Sequence, residues 1–279
     1  MGEALAEAKR RLERARVPFP NREAEFLVAA VLGCTRGALL ARRPDPIDDP
    51  TRRRLDAAIA RRERREPLQY IEGVAEFRGR PFAVDRRVLV PRPETELVVD
   101  AALEGLPAGA AVADLGTGSG CIAVSIAVER PDATVLAVDL SADALEVARA
   151  NARRHDVDDR IAFVHGDLAD PPAEWRSRCD LVVSNPPYVA EGEWAGLEPE
   201  VRDHEPKLAL APGPTGDEAY PRLAVAAAAL LRRGGRLVAE LGHTNAAGAE
   251  RAALEAGLTA VTIRPDPRGI ARILIAWLP

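Results

Sequence analysis

Asp114-Leu-Gly-Thr-Gly-Ser-Gly120 is the stretch that decides the fold. It closes an apolar run at 111–115 and opens a segment, 121–130, whose apolar residues have helical spacing. Between a strand and a helix, a glycine-rich turn is a ligand cradle, because it turns tightly and lets a ligand reach the backbone without a Cβ in the way. The spacing is G-x-G-x-G, not the G-x-G-x-x-G of dinucleotide sites, and the Lys-Ser/Thr pair of a phosphate loop is missing. The loop therefore favours S-adenosyl-L-methionine over NAD, and Asp114 is expected to face the ammonium group of that cofactor.

Outward from the loop, β-branched and apolar runs alternate with alanine-rich helical segments. Strands are expected at 111–115, 134–138, 161–165, 181–184, 236–241, 261–264 and 270–277, and helices at 121–130, 142–155, 219–232 and 245–256. Such alternation predicts an α/β fold with a seven-stranded, doubly wound, parallel sheet that binds its ligand at the carboxyl ends of the strands. Asp139 closes the second strand at the spacing that places a carboxylate on ribose hydroxyls. Asp167 and Leu168 follow the third, where a carboxylate can take an adenine amino group and an apolar side chain can pack on the ring. The expected cofactor set is thus Gly116, Thr117, Gly118, Ser119, Gly120, Asp139, Asp167 and Leu168, with Asn185 beside them.

The front of the chain reads differently. Apolar residues recur at helical spacing in 4–17, 23–32 and 52–64, with proline and glycine breaks between them. Two short apolar runs flanking glycines in 70–84 then suggest a β-hairpin. The expected organisation is a helical substrate-recognition domain at 1–69, a linking hairpin at 70–90 and a catalytic domain at 91–279.

Ser184-Asn-Pro-Pro-Tyr188 directly follows the fourth strand. Proline fixes its own φ and drives the preceding residue out of the helical region, so Asn185 and Pro186 are held extended with their carbonyls outward. The Asn185 side-chain oxygen and the Pro186 backbone carbonyl then each accept one hydrogen of a planar –NH2 group. An amide nitrogen is a poor nucleophile, and two oriented acceptors position it and stabilise positive charge as it develops. Asn185, Pro186, Pro187 and Tyr188 are the expected catalytic residues, with the Tyr188 ring packing on the flat target group. A glutamate side chain offers no –NH2 and would leave both acceptors unpaired.

The rest of the composition narrows the field. Net charge is −5, but residues 1–80 sum to +5 and the remainder to −10, an acidic catalytic part ill suited to nucleic acid. Cys34, Cys121 and Cys179 are too scattered for a zinc knuckle or a disulfide framework, and the four histidines lack metal-ligand spacing, so no metal is expected. No apolar run reaches the length of a membrane span, and the N-terminus reads as an amphipathic helix without a secretory core. A cytoplasmic monomer is expected.

These residues resemble the HemK-type protein-(glutamine-N5) methyltransferases. The resemblance rests on the glycine loop and N-P-P-Y, on 64–70, on Gly73-Val-Ala-Glu-Phe77, on Val90-Pro-Arg-Pro-Glu-Thr-Glu96, on 205–210 and on Gly234-Gly-Arg-Leu-Val-Ala-Glu240. It implies a Rossmann-like class I methyltransferase domain, S-adenosyl-L-methionine as cofactor, and the glutamine of the Gly-Gly-Gln tripeptide of class I release factors as target. It also implies that Arg92, Pro93, Glu94 and Thr95 form a wall of the substrate site. Leu168 departs from the aromatic residue often found at its position. Two alternatives stay open at this point: a glutamine of a ribosomal protein, and the adenine N6 of a nucleic acid, which shares N-P-P-Y but needs a basic recognition surface.

Overall fold

The computed structural model describes residues 2–41 and 47–279, which divide into two compact units. The first holds the described residues up to Val74 together with Glu198–His204. It contains α1 (Gly2–Arg14), α2 (Pro20–Val31), α3 (Arg36–Ala41), α4 (Asp49–Glu63), α5 (Leu68–Glu72) and the later helix α9 (Pro199–His204). Leu12, Leu27, Leu55 and Ile59 form its core. The fourth helix starts three residues before the expected 52 because Asp48 caps it, accepting the Thr51 N–H at 2.9 Å, with a proline in the first turn. Arg62 is buried in this unit and keeps its charge by pairing with Glu23 (2.6 Å) and Glu200 (2.8 Å).

The larger unit begins with the hairpin β1 (Val74–Phe77) and β2 (Arg80–Ala83). Residues 70–72, expected in the hairpin, belong to α5 instead. The two-residue turn is Arg78-Gly79, both at positive φ, as hairpin twist demands. A non-glycine residue is strained there, and Arg78 is held by Glu129 (2.8 and 2.9 Å) and Asp100 (2.7 Å). The expected linker thus contributes to the larger unit's core, where Phe77 and Phe82 meet edge to face with centroids 6.0 Å apart. Burying each ring stabilises the hairpin's attachment by about 2–3 kcal/mol.

After α6 (Pro93–Leu103) the chain alternates through β3 (Ala111–Leu115), α7 (Cys121–Glu129), β4 (Thr134–Asp139), α8 (Ala142–Arg154), β5 (Ile161–His165) and β6 (Cys179–Ser184). It continues through α10 (Ala219–Leu230), β7 (Leu231–Glu240), α11 (Ala246–Glu255), β8 (Thr259–Pro265) and β9 (Ala271–Trp277). The seven strands lie in the order β5-β4-β3-β6-β7-β9-β8. Alternate residues of each strand feed opposite cores: Val112, Val135 and Ala137 pack with α6 and α7, whereas Ala113, Leu136 and Val138 pack with α10 and α11.

The expectation of a parallel sheet holds for β3 to β7, and β9 runs antiparallel to both of its neighbours. Five residues separate β8 from β9, too few for a parallel crossover. Between β4-β3 and β6-β7 the chain reverses its direction of travel across the sheet, so the carboxyl ends of β3 and β6 flank a topological switch point.

Candidate active site

A cleft of about 290 Å³ opens at that switch point. Its walls come from the segments after four adjacent strands: Gly116 to Ser119 after β3, Asp139 to Ser141 after β4, Asp167 and Leu168 after β5, Asn185 and Pro187 after β6. Residues 87–92 with Thr95 close one side, and residues 206–222 contribute the other.

The glycine loop is pinned from below. Gly116 and Thr117 donate their N–H groups to the Val138 carbonyl (2.8 and 3.0 Å), and Gly118 donates to Asp139 Oδ2 at 2.8 Å. Gly118 has φ +55 and a Cβ there would meet nothing within 4 Å, so its backbone is bare towards open space. Gly120 serves a different end. It has φ +79, and a Cβ would lie 3.1 Å from the Cβ of Ala148, so it allows α8 to approach the start of α7; it does not line the cleft.

Asp139 receives a second N–H, from Ser141 at 2.9 Å, on its other oxygen. Burial pushes its carboxyl up from the usual range while the two backbone donors pull it down. Asp167 takes the Ala169 N–H at 2.9 Å and the Arg222 guanidinium, and these donors hold its carboxyl low. Leu168 lines the cleft and packs on the core of α10 and α11.

Asp114 is a correction. It lies on the sheet face covered by α7, wholly buried, and accepts Thr117 Oγ1–H (2.7 Å) and the Ala123 N–H (3.2 Å) on Oδ2. It does not line the cleft, so it braces the loop from beneath and does not face a bound ammonium group. Oδ1 has no partner, and burial pushes the carboxyl up to about 7. Burial pushes the Cys121 thiol, at the start of α7, up to about 12 and so disfavours the thiolate.

The N-P-P-Y segment is held at the end of β6 by Ser184, whose buried hydroxyl donates to the Leu115 carbonyl at 2.6 Å and ties the strand ends at the switch point together. Asn185 Nδ2 donates to Thr95 Oγ1 at 3.2 Å, and no described residue donates to Asn185 Oδ1. Pro187 lines the cleft, whereas Pro186 and Tyr188 do not. The Tyr188 hydroxyl donates to Glu240 Oε1 at 3.2 Å, and its ring lies against Gly242, where an added Cβ would come within 2.8 Å of it. The expected packing of that ring on a target group therefore gives way to packing against β7 and the turn after it.

Of the four expected wall residues, Arg92 and Thr95 line the cleft and Pro93 and Glu94 do not. Pro93 is the first residue of α6, and the Glu94 carboxylate pairs with Arg268 at 3.2 Å. Arg92 pairs with the buried Glu205 carboxylate, whose pKa burial raises.

Two residues escaped the reading of the sequence. Asn151, fully buried on α8, accepts the Ala83 N–H (2.7 Å) and donates to the Ala83 and Ser119 carbonyls (3.0 and 2.8 Å), joining the hairpin to the glycine loop. Glu240, 1% exposed at the end of β7, accepts from both Thr95 and Tyr188. A carboxylate closing the apolar run 237–239 is the signal that marks it. Among the described residues no cluster of His, Cys, Asp and Glu can hold a metal ion, and no helix is long and apolar enough to cross a membrane.

A sheet of this strand order, with a glycine-loop cleft at its switch point, defines the Rossmann-like methyltransferases. In line with that class, the methyltransferase of Pyrococcus furiosus superposes with a TM-score of 0.53 at 20% identity over 72% of this chain and 90% of that one. Residues 95–197 match the methyltransferase small domain, and residues 3–73 match the PrmC N-terminal domain. Release factor glutamine methyltransferases are close in sequence along almost the whole chain. That of Chlorobaculum tepidum is 44% identical over 90% of this chain and 88% of its own length, and that of Cereibacter sphaeroides is 43% identical over 99% and 98%. The chain belongs to the release factor glutamine methyltransferase family.

Proposed function

We propose that this protein methylates the side-chain amide nitrogen, N5, of the glutamine in the Gly-Gly-Gln tripeptide of class I release factors, with S-adenosyl-L-methionine as methyl donor. The reading rests on one observation above others. At the end of β6, beside the glycine loop, Asn185 is anchored through its Nδ2 and leaves Oδ1 as an unpaired acceptor at the cleft wall.

The residues present fit the cofactor. The bare backbone of Gly118 offers a close surface, Asp139 keeps acceptor lone pairs for ribose hydroxyls after binding two N–H groups, and Asp167 with Leu168 forms a polar and apolar wall for an adenine. When bound, S-adenosyl-L-methionine supplies an electrophilic sulfonium methyl group.

The chain's own part in the chemistry is orientation. Asn185 Oδ1 accepts one hydrogen of the glutamine –NH2, which orients the nitrogen and favours positive charge on it as the new N–C bond forms, whereas Pro186, expected as the second acceptor, is buried away from the cleft. Methyl transfer leaves one proton too many on that nitrogen, and it passes to solvent. Among the described residues the titratable groups that line the cleft are carboxylates and arginines with Cys121, and neither histidine nor lysine is among them. The helical N-terminal unit, which matches the PrmC N-terminal domain, serves recognition of the protein substrate, and the protein works in the cytoplasm with that substrate.

Asn185→Ala tests the reading. It should keep S-adenosyl-L-methionine binding partly intact and lose transfer by about 10²-fold or more. Calorimetric binding and single-turnover transfer measure the two, and an Asn185→Ala protein as fast as wild type would remove the basis of the proposal.

A further inference from the structure

Ser184 on β6 pairs in register with Ala239 on β7, so the next residues, Asn185 and Glu240, lie side by side at the carboxyl ends of two parallel strands. Thr95, in the first turn of α6, sits between their side chains. Its hydroxyl is 2.6 Å from Glu240 Oε2, a length typical of an O–H donating to a carboxylate. The same oxygen receives Asn185 Nδ2 at 3.2 Å. Two of the three are shielded, Glu240 at 1% exposed and Thr95 at 2%, while Asn185 is half-buried at the cleft wall.

Burial raises the Glu240 pKa while the Thr95 and Tyr188 hydroxyls lower it, and with Glu240 ionised the donor and acceptor inventory leaves one consistent polarity. A carboxylate only accepts, so the single hydroxyl proton of Thr95 must point to Glu240. Thr95 Oγ1 can then only accept from Asn185. The Asn185 amide is therefore turned with Nδ2 inward and Oδ1 towards the cleft. Were the amide flipped, an NH2 group would face the substrate's own –NH2, and two donors would meet with nothing between them to accept.

We propose that Glu240 is a positioning residue for methyl transfer: acting through Thr95, its carboxylate sets the side-chain orientation of Asn185 and so selects an –NH2 group as the substrate. The proposal rests on the reading of Asn185 as the acceptor of the target amide. Tyr188 completes the arrangement by donating to the other carboxylate oxygen at 3.2 Å, which holds Glu240 in place. Arg272 and Glu94 contribute opposing charges near the same carboxylate.

The experiment measures single-turnover transfer to the full-length release factor, with S-adenosyl-L-methionine affinity recorded for every variant. Thr95→Val removes the hydroxyl at nearly constant shape, and kcat should fall about 10²-fold with cofactor affinity and cofactor KM unchanged. Thr95→Ser should recover most of the loss, since it keeps the hydroxyl. A polarity swap supplies the second arm. Asn185→Asp alone places an acceptor-only group against Thr95, whose one proton is committed to Glu240. Adding Glu240→Gln lets the introduced amide donate to Thr95 and frees the hydroxyl to donate to the introduced carboxylate. The double variant should then exceed Asn185→Asp by about tenfold.

A Thr95→Val protein with wild-type kcat, or a double variant no faster than Asn185→Asp, would overturn the relay. If Asn185→Ala itself is as active as wild type, the failure belongs to the reading of Asn185 as the amide acceptor; if Asn185→Ala is inactive while Thr95→Val is normal, only the relay fails.

Discussion

Asp139 Oδ2, at the end of β4, accepts the backbone N–H of Gly118 at 2.8 Å. The carboxylate offered to the cleft is thus also the group that fixes the glycine loop above it. Asp139→Ala should therefore weaken S-adenosyl-L-methionine binding by more than one contact is worth, about tenfold or beyond, and cost about 1–2 kcal/mol of stability through the unpaired N–H groups. Titration calorimetry and urea unfolding measure the two effects. Unchanged affinity with unchanged stability would show that the bond is incidental.

The two glycines whose backbone is left-handed for different reasons should separate in their effects. Gly118→Ala adds a methyl group in open space and at φ +55, so it should cost about 1 kcal/mol of stability and act mainly on cofactor affinity. Gly120→Ala drives a Cβ against Ala148, and stability should fall by about 2–4 kcal/mol as α7 and α8 are forced apart. The contrast is read from thermal midpoints of the two variants without ligand; equal losses would refute it.

Asn151 makes three hydrogen bonds between the hairpin and the loop. Its replacement by leucine keeps the volume and strands those buried partners, with an expected loss of about 3 kcal/mol. Amide hydrogen exchange should quicken in β2 and in the glycine loop together. Exchange that quickens in only one of them would show that Asn151 does not couple the two.

Asp114 gives a pH signature. Its folded-state carboxyl lies at about 7 against an ordinary 3.8, so the folded chain keeps a proton that the unfolded chain releases. The associated stability is complete below 3.8 and is lost as pH rises through about 7. Asp114→Asn lacks that proton, so relative to wild type it should gain stability between about pH 5 and about pH 8. Urea midpoints of both proteins at the two pH values decide this, and a difference that stays constant with pH would contradict it.

Much of this was legible in the chain, for identifiable reasons. The strands at 111–115 and 161–165 coincide with β3 and β5, because a short apolar run bounded by turn residues marks both ends. The start of β7 was not legible. Residues 232–235 form a bulge opposite Asp180, where a Cβ added at Gly235 would lie 2.9 Å from the Cys179 carbonyl, and only three-dimensional pairing reveals that a strand begins at Leu231. The helices α3, α5 and α9 span six residues or fewer, too short for a periodic signal.

The site divides in the same way. Local chemistry marked Gly116 to Ser119, Asp139 and Asn185, all of which line the cleft at the carboxyl ends of their strands. Asn151 and Glu240 act across 32 and 145 residues of sequence, on Ser119 and Thr95, and nothing local to either reveals the partner. Asp114 was misplaced for a related reason: the alternation of β3 puts it under the start of α7, wholly buried, and the motif alone does not say which side chains the helix covers.

The central claim is that the cleft recognises a glutamine amide of a release factor. Its most direct test is transfer of labelled methyl from S-adenosyl-L-methionine to purified class I release factor, wild type against a factor carrying Gln→Glu in its Gly-Gly-Gln tripeptide, with ribosomal proteins and DNA in parallel. Label on the wild-type factor alone is the predicted result; label on the Gln→Glu factor, on a ribosomal protein or on DNA with none on the wild-type factor would contradict it.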